Sequence, residues 1–319
     1  MTRVVFMGTP DFAIPSLEAL CARHQVALVI TQPDRRQGRG QKLLPSPVKA
    51  TALRYGLPVW QPTTLRTPEA IDRLRATDAD VYITAAIGFI LSPAVLTLPP
   101  HGCLNLHASL LPRWRGAAPV SAAILSGDPE TGVTLMQMDE GLDTGPILAQ
   151  VRCPIAPDDT TETLTRRLAQ MGADLLIDVL PRWTGGQIVP QAQPEGATFS
   201  RRLSKEAGWI DWRLPAPALE RMTRAYDPWP GAYTTYRGQR LKIVRAQALP
   251  DRYDARPSGY VILLPDQRVA ITTGQGVLVL HEVQLAGKRA VSIDAFCRGY
   301  PDLIGSALGQ TDRAPAQPR

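Results

Sequence analysis

Cys103-Leu104-Asn105-Leu106-His107-Ala108-Ser109-Leu110-Leu111-Pro112-Arg113-Trp114-Arg115-Gly116 begins as a short apolar run and ends in a loop punctuated by Pro112 and Gly116. A run of that length, Cys103–His107, predicts a buried strand. Similar runs recur upstream at Arg3–Met7, Val26–Thr31 and Val81–Ala85. Helical patterns fill the intervals, one from Pro15 to Ala22 and others at Pro47–Tyr55 and Pro68–Ala76, with proline suited to a first turn. Strands alternating with helices over the first ~180 residues predict an α/β fold, a mostly parallel sheet with helices on both faces. Beyond the quoted stretch, Val133–Met138 and Ile147–Val151 read as a hairpin-like pair, and Thr160–Leu180 as a long amphipathic helix.

The texture then changes. Thr184–Thr198 is rich in Gly, Pro and Gln and has no helical period, so it reads as a linker. A helix at Pro215–Arg224 follows. Five strand-like runs come next, at Ala232–Tyr236, Leu241–Ala248, Gly259–Leu264, Val269–Thr273 and Val277–Leu285. Five short strands predict a small Greek-key β-barrel such as an OB fold, with an SH3-like or other barrel as the alternative. The expected organisation is therefore 1–183, a first domain; 184–204, a linker; 205–308, a barrel; and 309–319, a disordered tail.

The chain has 319 residues and is 44% hydrophobic, which excludes wholesale disorder and allows two domains. No stretch approaches the ~18 consecutive apolar residues of a membrane span, and the amino terminus reads as a strand rather than a signal peptide. Cys21, Cys103, Cys153 and Cys297 lie far apart, which argues against a zinc site or a disulfide framework and suits a reducing cytoplasm. The net charge of +6 is unevenly placed: residues 1–194 carry 17 basic and 17 acidic side chains, residues 195–319 carry 18 and 12. Arg35, Arg36, Arg39, Lys42 and Lys49 also crowd one stretch against a single acid, Asp34. A basic appendage plus a basic loop suits a polyanionic partner; a solvated basic surface is the plainer alternative.

Asn105 is the only asparagine in the chain, and His107 is one of four histidines. Positions i and i+2 of a strand share a face. At the carboxyl end of a strand in an open α/β sheet, they stand where ligands bind. A carboxamide donor beside an imidazole suits acyl transfer, in which one stabilises an oxyanion and the other moves protons. A loop-capping Asn and a core His form the plainer reading. Asp143, in Asp139-Glu140-Gly141-Leu142-Asp143-Thr144-Gly145-Pro146, is a candidate carboxylate aimed by a tight turn, with Asp139 and Glu140 as rivals. Gly8-Thr9-Pro10-Asp11-Phe12 follows the first strand without a G-x-G-x-x-G, so a dinucleotide is not expected.

Those residues, with Thr31-Gln32-Pro33-Asp34-Arg35, Pro45-Ser46-Pro47-Val48-Lys49, Cys103 to Pro119, Gly141-Leu142-Asp143-Thr144-Gly145, Lys205, Ile210-Asp211-Trp212 and Asp227-Pro228-Trp229-Pro230-Gly231, resemble the methionyl-tRNA formyltransferase family over nearly the whole chain. The resemblance implies a Rossmann-like catalytic domain and a carboxyl-terminal OB-like domain. It implies 10-formyltetrahydrofolate as donor substrate, the α-amine of methionyl initiator tRNA as acceptor, no metal, no membrane, and a monomer. It assigns catalysis to Asn105, His107 and Asp143, folate contact to Gly88, Ser109, Leu110, Leu111 and Pro112, and tRNA contact to Arg35, Arg36, Arg39, Lys42 and Lys205. Ile87 stands where the family commonly has Tyr, Ala108 replaces the usual Gly, and Ser92 a common Pro. The competing readings are a formyltransferase for a small amine, a non-catalytic RNA-binding protein and a hydrolase releasing formate.

Overall fold

The computed structural model describes residues 1–37, 42–252 and 254–309. They form two compact units. The first comprises Met1–Val120, Pro129–Ile155 and Thr163–Arg201; the second comprises Ser121–Asp128, Ala156–Glu162 and the chain from Arg202 onward.

The first unit is built on strands β1 (Arg3–Gly8), β2 (Gln25–Ile30), β3 (Arg35–Gln37), β4 (Lys42–Leu44), β5 (Val59–Trp60), β6 (Val81–Ala85), β7 (Cys103–His107), β8 (Arg115–Gly116), β9 (Glu130–Gln137), β10 (Ile147–Pro154) and β11 (Phe199–Ser200). Helices α1 (Ile14–Arg23), α2 (Pro47–Arg54), α3 (Pro68–Arg75) and α4 (Pro93–Leu96) lie between the early strands. Val4, Val5, Phe6 and Met7 are all fully buried. Both parities of β1 are covered, as a parallel strand between two layers requires. The main sheet has the order β10-β9-β7-β6-β1-β2-β5. The run from β7 to β5 is parallel, and β9 and β10 add antiparallel strands at one side. Leu74, Val95 and Leu96 from α3 and α4 share a core with Val5, Met7, Leu28 and Ile30.

Several elements exceed the sequence reading. The long helix α6 follows α5 (Pro119–Ser126) in the chain and runs Thr161–Thr184. Its buried stripe continues through Val179 and Leu180, so Pro181 falls in its last turn. The basic stretch after β2 is not an open loop at its base: β3 and β4 pair antiparallel. Parts of the stretch expected as a linker pair with strands of the first unit. Gln191 pairs with Ile147, and β11 runs parallel to β8. Of the tail expected to be disordered, 309–319, only Gly309 belongs to the described residues, and its N–H is bonded to Thr235; 310–319 lie outside them.

In the second unit, helix α7 (Ala216–Ala225) precedes strands β12 (Tyr233–Tyr236), β13 (Gln239–Leu249), β14 (Val261–Leu263), β15 (Val269–Thr272), β16 (Val277–Leu285) and β17 (Val291–Ser292), and α8 (Ile293–Gly299) follows. The antiparallel sheet has the order β12-β13-β16-β15-β14, with β17 beside β16. Register shifts along β13, between Ile243 and Ala246, mark bulges that bend it. The sheet curls around Leu241, Ile243, Leu278, Leu280, Phe296 and Trp212. Its two edges are joined by the last described segment. The N–H groups of Gly305 and Leu308 donate to Val261 and Gly259, and that of Gly309 donates to Thr235 in β12.

Candidate active site

β7 delivers Asn105 and His107 to the same face of the sheet, and its neighbours fix both side chains. Thr84 of β6 lies in register with Asn105. Its fully buried hydroxyl donates to Asn105 Oδ1 at 2.8 Å. That bond turns the other half of the carboxamide, Nδ2, away from β6, and Nδ2 has no partner among the described residues. His107 is 5% exposed. Its Nε2 lies 3.0 Å from the Trp114 carbonyl. A carbonyl oxygen only accepts, so Nε2 carries the hydrogen. Nδ1 lies 3.5 Å from Asp143 Oδ1. A proton taken up on Nδ1 is therefore received against a carboxylate.

Of the three candidate acids, Asp143 is the one turned to His107. Its φ of 53° lies in the left-handed region, and its Oδ2 accepts from the Gly116 N–H at 2.8 Å. Asp139 is exposed, and its Oδ1 accepts from the Gly141 N–H and the Thr144 hydroxyl of its own loop. The turn needs close backbone approach: a Cβ on Gly145 would collide with the Gln137 carbonyl, and one on Gly116 with the Ser200 carbonyl.

The segment Ser109–Pro112 closes on itself. Ser109 Oγ donates to the Arg113 carbonyl at 2.6 Å. The Thr134 hydroxyl, in register with His107, donates to the Ser109 carbonyl at 2.7 Å and accepts from the Leu111 N–H at 3.0 Å. Ser109 and Leu111 are buried, so they shape the loop from inside, while Leu110 and Pro112 are half-buried. Gly88 follows Ala86 and Ile87 at the carboxyl end of β6, with φ of 74°. The Ile87 carbonyl accepts from Gln32 Nε2 at 3.3 Å and Thr9 Oγ1 at 3.4 Å. The Ile87 side chain is buried in the core.

The stretch before β11 also reaches this corner. Trp114, at φ 60°, donates its N–H to Thr198 Oγ1 at 2.9 Å. Gln193 bonds the Asp143 loop and Arg115. Thr198 and Gln193, with Thr84 and Thr134, were not found from sequence. Thr84 alone left a trace there, as a polar residue inside the apolar run Val81–Ala85.

Of the basic candidates, Arg35 is exposed at the start of β3, and Arg36 and Lys42 belong to the β3–β4 pair. Arg39 lies outside the described residues. Lys49 instead binds Asp34 at 2.7 Å, and Gln61 Nε2 donates to the same carboxylate. The Lys49 and Gln61 bonds hold the Asp34 carboxyl below its usual range. Lys205 is exposed and belongs to the second unit.

The formyl transferase family model matches residues 2–196, and the model for the formyl transferase carboxyl-terminal domain matches residues 202–301. The methionyl-tRNA formyltransferase of Thiobacillus denitrificans is 51% identical over 309 residues, covering 96% of this chain and 99% of that protein. The chain belongs to the methionyl-tRNA formyltransferase family. The family member from Roseiflexus castenholzii is 49% identical, with 96% and 99% covered. Among solved structures, an N-formyltransferase from Helicobacter canadensis, in complex with folinic acid and dTDP-3-aminofucose, shares the fold at TM-score 0.64 and 18% identity, with 88% and 98% of the two chains covered. A formyltransferase moves a one-carbon acyl group. Asn105 and the His107–Asp143 pair have the donor and proton-holding chemistry that such a transfer needs.

Proposed function

We propose that the chain transfers the formyl group of 10-formyltetrahydrofolate to the α-amine of methionyl initiator tRNA, giving N-formylmethionyl-tRNA for translation initiation. The observation that carries this reading is 51% identity to a methionyl-tRNA formyltransferase over 96% of the chain. The side chains fit such a donor. Asn105 has an unpartnered N–H side, and Leu142, beside Asp143, is 64% exposed and apolar. Gly88 and the segment from Ser109 to Pro112 contact the folate in this reading, largely through backbone. The donor, when bound, supplies an activated formyl carbon.

The chain's residues then act in turn. Asn105 Nδ2–H donates to the oxyanion that develops as the amine attacks. His107 Nδ1 holds or passes a proton, with Nε2 tied to Trp114. As the oxyanion collapses, the bond between the formyl carbon and N10 of the donor breaks, N10 takes up the proton that the amine has lost, and tetrahydrofolate leaves. Asp143 orients His107, balances the positive charge when the imidazole is protonated, and accepts or shuttles the proton of the attacking amine. An aminoacyl α-amine titrates near or below ~7.7–8.0, so a share is neutral at physiological pH. Residues 1–183 carry catalysis in this reading, 184–204 connect, and 205–308 form the tRNA-binding barrel. Arg35, Arg36, Arg39, Lys42 and Lys205 contact phosphate, a contribution that falls steeply with salt. The protein works as a monomer in the cytoplasm. Burial pushes the Cys103 thiol up to about 12, which keeps it inert.

The test is incubation of purified protein with 10-formyltetrahydrofolate and charged initiator tRNA, followed by mass analysis of the aminoacyl group. Formylmethionine is expected. Formate release without acceptor, or transfer to a small amino sugar in preference to the tRNA, rejects the reading.

A further inference from the structure

Gln193 lies between α6 and β11, and every hydrogen-bonding position of its carboxamide is filled. Nε2 donates to the Asp143 and Gly145 carbonyls, both at 2.8 Å. Oε1 accepts from Arg115 Nε at 3.1 Å and from Nη2 at 2.6 Å. Carbonyls only accept and a guanidinium only donates, so the amide fits in one orientation. The four bonds tie two loops together, the one holding Asp143 and the one holding Arg115 and Gly116. The same loops meet again where the Gly116 N–H donates to Asp143 Oδ2. Asp143 itself sits at φ 53°, a conformation that persists only when its surroundings hold it. Its Oδ1 is 3.5 Å from His107 Nδ1, close enough for an ion pair and long enough for a small displacement to break it.

We infer that Gln193 is a positioning residue: its amide donors clamp the Asp143 backbone so that the carboxylate faces His107. The kinetic part of this inference rests on the formyl-transfer reading; the geometric part does not. Reactive groups displaced by ~1 Å lose about 10²-fold in rate.

Two substitutions separate the clamp from its alternatives. Gln193→Met keeps the bulk and removes all four bonds. Gln193→Glu keeps an acceptor for Arg115 but sets an anion against the two carbonyls. Both are expected to lower kcat by about 10–100-fold with KM for both substrates unchanged. Both are also expected to shift the side-chain ¹⁵N resonances of His107 at fixed pH. The His107 spectrum needs no turnover. A wild type that fails to formylate therefore removes the functional reading alone, and the spectra still decide the clamp. Wild-type kcat and unshifted His107 resonances in Gln193→Met overturn the inference, as does a loss confined to KM. Full activity in Gln193→Glu also overturns it, because Arg115 rather than Asp143 would then be what Gln193 serves. If Gln193→Met does not fold, Gln193→Glu decides by the same two readouts.

Discussion

Around His107 the chain is held by polar atoms reaching across loops, whereas the curled carboxyl-terminal sheet is held by apolar side chains packed against its faces. In the first region, Trp114, Gly116, Asp143, Gln193 and Thr198 come from three stretches far apart in the chain, and nearly every bond among them has a backbone partner. In the second, Leu241, Ile243, Leu278 and Leu280 alternate along β13 and β16 and are buried together. Apolar burial is non-directional and tolerates small changes of shape. A hydrogen-bonded corner is directional, and removing one partner leaves the other unsatisfied. Aim is therefore concentrated in the first region and stability in the second.

The largest expected effect breaks the comparison if it fails. Asn105→Ala should lower kcat by ~10²–10³-fold, the usual consequence of losing one oxyanion donor. The tRNA affinity should stay close to wild type, and the melting temperature should change little, because Asn105 Nδ2 has no partner among the described residues to lose and the Thr84 hydroxyl, deprived of Asn105 Oδ1, keeps the Leu104 carbonyl at 3.2 Å as an acceptor. Steady-state kinetics beside a thermal melt measure both. A variant with full turnover would show that the polar corner serves folding, like the barrel, and not the reaction.

The converse test lies in the barrel. Ile243 is fully buried there, opposite Val283 of β16. Ile243→Val removes one methylene and should cost about 0.5–1.5 kcal/mol in denaturant unfolding. Below the transition kcat should be unchanged. A kcat loss without a stability loss would mean that the barrel core also sets the geometry of catalysis, and the contrast between aim and stability would not hold.

The same division governs how much could be read from sequence. The apolar runs of β1, β6, β7 and β16 are written in the chain, because burial imposes them residue by residue. Asn105 and His107 were legible for the same reason, as i and i+2 of one strand. Asp143 was legible only as one of three acids, since its orientation depends on the φ it adopts and on Gly116, which lies far from it in sequence. Thr84, Trp114 and Gln193 meet the site through inter-strand register or a backbone carbonyl, neither of which has a compositional signature. Gln193 was hidden further by its setting, a Gly-, Pro- and Gln-rich stretch that reads as a linker when no partner strand is visible. The closure of the barrel by Gly305–Gly309 was hidden likewise, because its hydrogen bonds are made by backbone groups and only Leu308 packs into the core.

The smallest effect sharpens the contrast within the first unit, where two histidines are buried. His107 has a partner for each ring nitrogen. His24 is 8% exposed, and its Nδ1 has no partner among the described residues. Burial, aided by the amino-terminal charge and Arg23, pushes the His24 imidazole below its usual range. The folded protein thus binds that proton less readily than the unfolded chain. The associated stability is complete above the unfolded value of ~6.5 and is lost as pH falls toward the folded one. Denaturant midpoints measured between pH 7.5 and pH 5 should therefore fall on acidification, and the fall should be shallower in His24→Gln. Equal slopes in the two proteins would mean that His24 is as well matched as His107. An unpartnered ring nitrogen would then not distinguish a histidine that only fills space from one held ready to take a proton.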